Sequence, residues 1–231
     1  MDAGRIFLIT SLLGLSALEW LFPRQSHERP STEVRQNFLL LIVNAFALPS
    51  LASFISQKMG PTPILYSLYH SPLWLQFLVT LFLLDFTSYW VHWSFHSIPV
   101  LWKLHRVHHS ATELTALSSF RHHSLEVFTH MLIQGLLLGV LSISYSVIFY
   151  TNLIFLSACM IQHSNIRLWI PRVADWVLIT PRNHYWHHSK ELHGKYGQNF
   201  GFIFSFWDRI FNTLHLPNHY RTEIGVHSSR D

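Results

Sequence analysis

Four long apolar runs constrain the fold of this chain more than any other feature of its sequence. They cover residues 5–22, 37–56, 73–91 and 131–160. A helix needs roughly 17–25 mostly apolar residues to cross a bilayer. Charged residues make up only 12% of the chain, whereas about 25% is usual in soluble domains. We therefore predict an all-α integral membrane protein with about four transmembrane helices.

The fourth run is harder to assign than the others. Residues 131–160 carry no charge and are too many for one untilted span. Either a turn at 142–146 divides them into two half-depth helices, or one long helix protrudes from the membrane. The first run has no small-residue cleavage signal at its end, so we expect it to be retained as an anchor.

Lysine and arginine residues are distributed unevenly between the loops. Residues 23–36 carry three arginines, whereas Lys58 is the only lysine or arginine between the second and third runs. The positive-inside rule then places residues 23–36, 92–129 and the segment from 161 onward in the cytoplasm. We expect residues 92–130 and 161–215 to form a helical cap there. The formal charge of +4 is spread along the chain without a dense Lys/Arg run. Nucleic acid is therefore not an expected partner.

Histidine is the residue that points to chemistry. The chain has 18 histidines, and twelve of them lie between His92 and His188. Three clusters repeat a helical spacing: His-x-x-x-His at 92–96, and His-x-x-His-His at both 105–109 and 184–188. Residues three and four apart share a helix face. Imidazoles packed against each other gain little apolar contact, so these clusters predict metal binding.

The number of clustered histidines indicates more than one ion. Eight imidazoles exceed the four ligands that usually close a zinc site, so two ions with about four ligands each is the simplest solution. The chain lacks the Glu-x-x-His pairs of soluble di-iron carboxylate proteins. Its single cysteine, Cys159, excludes a cysteine-rich zinc site. Imidazole binds iron, zinc, copper and nickel alike, so the ligands alone do not name the metal.

Further motifs make the chain similar to the fatty acid hydroxylase/sterol desaturase superfamily, from Asp85 to Thr213. They are Asp-x3-Tyr-Trp-x-His at 85–92, Leu-Trp-Lys-Leu-His-Arg-Val-His-His-Ser at 101–110, Arg-x-His-Ser-x-Glu at 121–126, Asn-Phe-Gly at 199–201 and Trp-Asp-Arg-Ile-Phe-Asn-Thr at 207–213. Two residues depart from the family pattern. Ser124 replaces a proline, and Asn212 stands where glycine is usual.

The resemblance implies a membrane-bound di-iron oxygenase that uses O2 to hydroxylate or desaturate a lipid of sterol or fatty acyl type. Together with the apolar runs, it gives an expected domain organisation, with N-terminal anchor spans (1–72), a catalytic domain (73–215) and a C-terminal tail (216–231). The metal site would lie on the cytoplasmic side. With the three clusters, the resemblance gives ten expected metal ligands: His92, His96, His105, His108, His109, His123, His163, His184, His187 and His188.

Three polar residues are expected to support these ligands. Asp85 lies within an apolar run, where a carboxylate is costly and usually functional. It precedes His92 by seven residues, so we predict that it accepts a hydrogen bond from an imidazole N–H. A structural ion pair with an arginine or lysine is the alternative. The resemblance adds Glu126 and Asn199 as supporting residues.

The electrons for such chemistry must come from another protein. The chain has no Gly-x-Gly-x-x-Gly nucleotide fingerprint and no cysteine set for an iron–sulfur cluster. We expect a separate reductase or small electron carrier with an acidic surface to dock on the cytoplasmic cap. The residues expected to attract it are Lys103, Arg106, Arg121, Arg172 and Arg182.

Two functions of other classes compete with the oxygenase. A histidine-rich membrane metal-binding or transport protein would need ligands along a crossing path, whereas these histidines gather on one side. A haem protein that carries electrons would use only paired axial histidines and leave most of the others unexplained. Within the oxygenase class, hydroxylation and desaturation stay open, because the outcome depends on fine placement of the substrate.

Overall fold

The computed structural model describes residues 3–25, 31–47, 68, 70–141, 143–192, 197–217 and 223–226. Within these ranges the chain is helical, with three isolated β-bridges and no sheet. The α-helices are Ala3–Leu21 (α1), Ser31–Leu41 (α2), Leu73–Ser97 (α3), Pro99–His109 (α4), Ser124–Leu141 (α5), Tyr145–His163 (α6), Pro181–His187 (α7) and Phe206–Ile210 (α8). Shorter helical segments are the π-helix Ile42–Ala47 and the 3-10 helices Ala116–Phe120, Arg172–Trp176 and Lys190–Leu192.

Four of these helices are long and apolar enough to span a membrane, namely α1, α3, α5 and α6. The predicted all-α fold with four candidate spans is confirmed, but the four helices are not the four predicted runs. The second run, 37–56, begins within α2 and continues through Ile42–Ala47. Its residues 48–56 lie outside the described part of the chain.

The fourth run consists of two helices, each long enough to cross a bilayer. The predicted division at 142–146 is confirmed, because α5 ends at Leu141 and α6 begins at Tyr145. The two helices have 18 and 19 residues, so they are not half-depth. They are longer than predicted because both extend past the apolar run, α5 back to Ser124 and α6 to His163. α6 brings His163 back to α4, where His163 Nε2 lies 3.1 Å from His108 Nε2.

A sharp break between α3 and α4 turns their histidines toward each other. Ile98 is extended, with φ −100° and ψ 117°, and Pro99 begins α4. Proline suits the first position of a helix because it lacks the N–H that would be unpaired there, and it disfavours a helical conformation in the residue before it. The relative orientation of the histidines on α3 and α4 therefore depends on the break at Ile98 and Pro99.

A buried glutamate attaches the first span to the rest of the molecule. Glu19 of α1 is fully buried and accepts hydrogen bonds from the backbone N–H groups of Ala116, at 2.7 Å, and Asn165, at 3.0 Å. Carboxylates are rarely buried without such partners. α1 is thereby fixed to the segments that follow α4 and α6.

Two arginines expected to attract an electron carrier have partners within the chain. Arg121 is only 7% exposed, and it donates to Asn37 Oδ1 at 3.0 Å and to the carbonyl oxygen of Val107 at 3.1 Å. Arg182 forms an ion pair with Asp175. The prediction is wrong for Arg121, because its side chain joins α2 to α4 instead of facing solvent.

Asp85 has other partners than the predicted imidazole or ion pair. Its carboxylate accepts from the backbone N–H of Ile203 at 2.6 Å and of Phe204 at 3.2 Å, and from the indole N–H of Trp207 at 2.8 Å. Seven residues advance a helix by roughly 10.5 Å, so Asp85 lies about two turns below His92. The carboxylate therefore supports the ligands only indirectly, by holding the 203–207 segment against α3.

Candidate metal centre

Five histidines from three helices converge in one group at the end of α3. The ligand nitrogens of this group lie within 4.8 Å of one another. A side chain at position 197 would obstruct it, because a Cβ on Gly197 would lie 2.9 Å from His96 Nδ1. We call these residues the five-histidine group: His92, His96, His105, His109 and His187.

Four further histidines form a second, fully buried group beside the first. His163 Nε2 lies 3.1 Å from His108 Nε2 and 2.9 Å from His184 Nε2, and His188 Nε2 lies 3.2 Å from His184 Nε2. The two groups adjoin, since the ring centroids of His109 and His188 are 4.3 Å apart. We call the second set the four-histidine group: His108, His163, His184 and His188.

Each His-x-x-His-His motif divides its histidines between the two groups. Successive helix residues are about 100° apart, so positions i and i+4 diverge by about 40°, whereas i+3 lies about 60° to the other side of i. The i and i+4 residues of the 105–109 motif enter the five-histidine group, and His108 enters the other. The 184–188 motif does the reverse, with His187 alone in the five-histidine group.

Backbone carbonyls fix two imidazoles of the five-histidine group. The carbonyl oxygen of Phe200 accepts from His92 Nδ1 at 3.0 Å, and that of Gln198 accepts from His187 Nδ1 at 2.7 Å. A carbonyl oxygen only accepts, so the proton lies on Nδ1 and the lone pair of Nε2 is left for a metal. Such outer hydrogen bonds orient metal-binding histidines in proteins generally.

Asn199 lies between these two carbonyls and acts through the backbone. It has φ 59°, a left-handed conformation that asparagine tolerates better than most residues. Its side chain donates to the carbonyl oxygens of Asn183 and His215, each at 3.0 Å, and accepts from His215 N–H at 2.7 Å. Asn199 therefore shapes the turn that aims two carbonyls at imidazoles, and its own side chain bonds to backbone groups.

Asp208 holds the same turn from the opposite side. Its carboxylate accepts from the backbone N–H of Phe200 at 2.6 Å and of Gly201 at 2.8 Å, and from Thr213 Oγ1 at 2.7 Å. Burial raises the pKa of Asp208 to about 7, although its hydrogen-bond donors act in the other direction. Asn212, found where the family has glycine, has φ 57° and so keeps the left-handed turn that glycine would supply.

The four-histidine group is oriented in the same manner. The carbonyl oxygen of Cys159 accepts from His163 Nδ1 at 2.8 Å, and that of Arg121 accepts from His108 Nδ1 at 3.3 Å. Burial, together with the neighbouring imidazoles, holds the pKa of His108 and of His184 well below the ordinary histidine value. Both rings are therefore neutral at pH 7, which is the form that binds metals.

Glu126 joins the two groups, as the resemblance had indicated for a supporting residue. Its Oε1 accepts from His105 Nδ1 at 2.7 Å and from His122 Nδ1 at 2.9 Å. The ring of His122 in turn stacks on His108, with centroids 4.0 Å apart and planes 11° from parallel. One carboxylate thus contacts a ligand of the five-histidine group directly and the four-histidine group through His122.

The structure brings His123, one of the ten expected ligands, to neither group, whereas its neighbour His122 contacts Glu126 and His108 without joining either group. His123 immediately precedes α5, is exposed, and accepts a hydrogen bond from Leu125 N–H at 3.2 Å. The short separation of His122 and Glu126 was the available signal for this contact, although His122 precedes the first residue of α5.

The geometry of the inward nitrogens fits bound ions. A tetrahedral ion with bonds of about 2.0–2.1 Å holds its ligand nitrogens about 3.3 Å apart. The neighbouring Nε2 atoms of the four-histidine group are 2.9–3.2 Å apart. No carboxylate completes either group among the described residues, which makes both of them all-nitrogen sites. Such sites suit iron and zinc as well as copper.

Substitution of Gly201 should damage the five-histidine group. A Cβ there would lie 2.5 Å from the carbonyl oxygen of Phe204 and 2.8 Å from Asp208 Oδ2. The Gly201→Ala variant should therefore displace the 198–201 turn, lower the Tm by several degrees and reduce the bound metal per chain. Gly135→Ala is the matched control, because a Cβ on Gly135 meets nothing within 4 Å. Equal Tm and metal content in the two variants would contradict the role of this turn.

Fold and site together define a class: helical membrane proteins with a histidine-lined metal centre. The sequence model of the fatty acid hydroxylase family matches residues 77–213, more than half of the chain. The chain belongs to the fatty acid hydroxylase family, which confirms the resemblance found in its motifs. The match lies inside the predicted catalytic domain, 73–215, whose boundaries stay a prediction.

Two curated relatives are similar to the chain at 27% identity. Ornithine lipid hydroxylase OlsE of Rhizobium tropici aligns over 166 residues, which are 68% of this chain and 50% of the relative. Fatty acid hydroxylase vlmA of Lecanicillium sp aligns over 158 residues, 61% of this chain and 42% of the relative. The chain thus spans about half the length of the curated relatives it matches. No solved structure matches it.

Proposed function

We propose that this chain is a membrane-bound lipid hydroxylase whose nine grouped histidines hold two iron ions. The observation that carries the proposal is the division of these histidines into two adjoining groups with inward-facing nitrogens. The family, and relatives named as hydroxylases of an ornithine lipid and of a fatty acid, support a lipid substrate. Iron at this centre supplies the activation of O2 for attack on an unactivated C–H bond.

The chain's own residues prepare the centre for that reaction. Phe200, Gln198 and Cys159 hold protons on the outer nitrogens of three imidazoles through their carbonyl oxygens. Burial excludes water from the four-histidine group and keeps the imidazoles of His108 and His184 neutral. Hydroxylation of R–H by O2 requires two electrons and two protons and yields R–OH and water. The chain carries no redox cofactor motif, so the electrons come from a separate carrier.

Metal transport is less well supported by the geometry. A transporter has its ligands along a path across the membrane. Both groups here lie where α3 and α6 end, and the remaining ligands come from α4 and α7, outside the four candidate spans. A single buried centre at one end of the helices is the arrangement of an enzyme that draws its substrate from the bilayer.

The function is tested with purified protein in lipid nanodiscs, loaded with iron and supplied with a reductase system. Lipid extracts incubated under 18O2 should yield a product 18 Da heavier than its parent lipid. Protein loaded with zinc is the control, since zinc has no redox chemistry. Product formation without O2, or at the same rate in zinc-loaded protein, would contradict the proposed hydroxylase function.

The proposed orientation places the metal centre in the cytoplasm. Lys190 lies three residues after the end of α7 and two after His188, so a cysteine at that position reports the side on which the histidine groups lie. Lys190→Cys should react with a membrane-impermeant maleimide only after the cells are permeabilised and the reagent reaches the cytoplasm. Labelling of intact cells would contradict the proposed orientation. The metal centre and the docking site of the electron carrier would then lie on the outer side of the membrane.

Docking of the electron carrier is assigned to α4, which bears ligands of both groups. Lys103 is exposed on this helix and Arg106 is half-buried. Lys103→Glu should raise the KM for an acidic carrier at low salt while leaving turnover with a small chemical reductant unchanged. An unchanged KM for the carrier would place its docking site elsewhere.

A further inference from the structure

The segment between α6 and α7 exposes large apolar side chains although it is not one of the candidate spans. Trp169 is 89% exposed and Val173 is 69% exposed, and Trp176 and Val177 are half-exposed. The 3-10 helix Arg172–Trp176 lies within it. Apolar patches of this kind mark surfaces that are covered in the working protein. We call residues 167–178 the apolar loop.

The apolar loop is continuous with an exposed apolar side of α3. Ser205 N–H donates to the carbonyl oxygen of Val177 at 3.0 Å, and Leu178 and Phe204 form an antiparallel bridge. The ring of Phe204 stacks on Phe82 of α3, with centroids 5.2 Å apart. α3 is a candidate span, and Leu78, Phe82 and Phe86 form an exposed stripe along it at four-residue spacing.

Positive charges surround the exposed tryptophans of the apolar loop. Arg167, Arg172 and Arg209 are all exposed. The guanidinium of Arg209 lies 4.8 Å from the centroid of the Trp176 ring and donates to the Trp176 carbonyl oxygen at 2.7 Å. The acidic residue of the loop, Asp175, is buried against Arg182 and presents no negative charge to the outside. Exposed tryptophan with arginine is the composition of segments that lie at the membrane–water boundary.

We propose that the apolar loop lies in the headgroup layer of the membrane, with anionic phospholipid as its partner. Trp169 and Val173 enter the boundary of the acyl chains, and the three arginines bind headgroup phosphates. Continuity with the exposed stripe of α3 favours lipid over a second copy of the chain. The loop joins His163 to α7, so it also sets the depth of the metal centre.

The position of the loop is tested by fluorescence of a single labelled cysteine. Val173→Cys in a Cys159→Ser background is labelled with nitrobenzoxadiazole in nanodiscs that contain nitroxide lipids. Emission at position 173 should be blue-shifted and quenched several-fold more by a nitroxide near the headgroup than by a water-soluble nitroxide. Glu191→Cys, an exposed position outside the loop, is the control and should show the opposite preference. Quenching at 173 that matches the control would overturn the proposal.

The lipid partner is tested by changing the charge of the bilayer and of the loop. Lipid quenching at position 173 should be stronger in discs with phosphatidylglycerol than in pure phosphatidylcholine. The double variant Arg167→Gln, Arg172→Gln should lose that difference while keeping the Tm of the parent. Quenching independent of lipid charge in the parent would refute an anionic partner. Crosslinking between two copies through Val173→Cys in discs that each hold several chains would assign the surface to a second copy instead.

Discussion

Alanine at His187 or at His108 should abolish turnover, and each variant should lose a different metal ion. His187 belongs to the five-histidine group and His108 to the four-histidine group. Each residue offers one inward nitrogen, so its removal opens one coordination position in one group. Bound metal should fall from about two ions per chain to about one in either variant. The measurement is metal content by mass spectrometry of the purified protein, beside product formation.

The control for these two variants is His123→Ala. His123 is a histidine of the same motif region that contacts neither group, so its removal should leave two ions bound and turnover within a few-fold of the parent. The division of the histidines between two groups also predicts different metal contents for two double variants. Double substitution of His108 and His184 removes ligands of one group and should still leave one ion bound, whereas substitution of His108 and His187 should leave almost none.

Two results would contradict this arrangement. Loss of both ions in each single variant would mean that the groups are one cooperative site. Retention of two ions and full turnover in His187→Ala or His108→Ala would remove these histidines from the centre. A variant that fails to insert into the membrane is recognised by the loss of its helical far-ultraviolet circular dichroism signal. The comparison is then repeated with asparagine instead of alanine at the same positions.

Much of the centre was predictable from local sequence, because its main ligands come in motifs that a single helical turn arranges. The clusters at 92–96, 105–109 and 184–188 supply eight of the nine grouped histidines. The division of each His-x-x-His-His motif between two groups also follows from 100° per residue. The sequence prediction used only the helix face that the three histidines share, and it did not use the angle of about 60° between positions i and i+3. Which motif gives its pair to which group depends on how α4 and α7 pack, and local spacing does not contain that information.

The residues that were misassigned act through contacts distant in sequence. Asp85 was expected at an imidazole, but its donors are 118–122 residues away, in the 203–207 segment. Glu19 was not singled out at all, and its partners are Ala116 and Asn165. A buried carboxylate must find donors, but the sequence does not say which. The prediction of half-depth helices in the apolar run 131–160 was wrong for a different reason. Both α5 and α6 extend beyond the run into segments that contain polar residues, and so reach spanning length.

Removal of the Glu126 carboxylate should weaken metal binding without opening a coordination position. In Glu126→Ala, His105 Nδ1 and His122 Nδ1 both lose their acceptor. His105 is then free to change its tautomer and tilt. Outer partners of metal-binding histidines typically contribute 10–100-fold in affinity or activity. We therefore expect faster loss of metal to a chelator by about that factor, and a comparable fall in turnover.

Two matched variants separate the hydrogen bond from the bulk of the side chain. Glu126→Gln keeps the size of the side chain and one carbonyl oxygen, so it should retain metal better than Glu126→Ala. His122→Phe keeps a ring to stack on His108 and removes only one of the two donors to Glu126, so its effect should be the smallest of the three. Chelator-driven metal release, followed by absorbance of the chelate, ranks them directly. Equal release rates for Glu126→Ala and the parent would show that the carboxylate does not hold His105 in place.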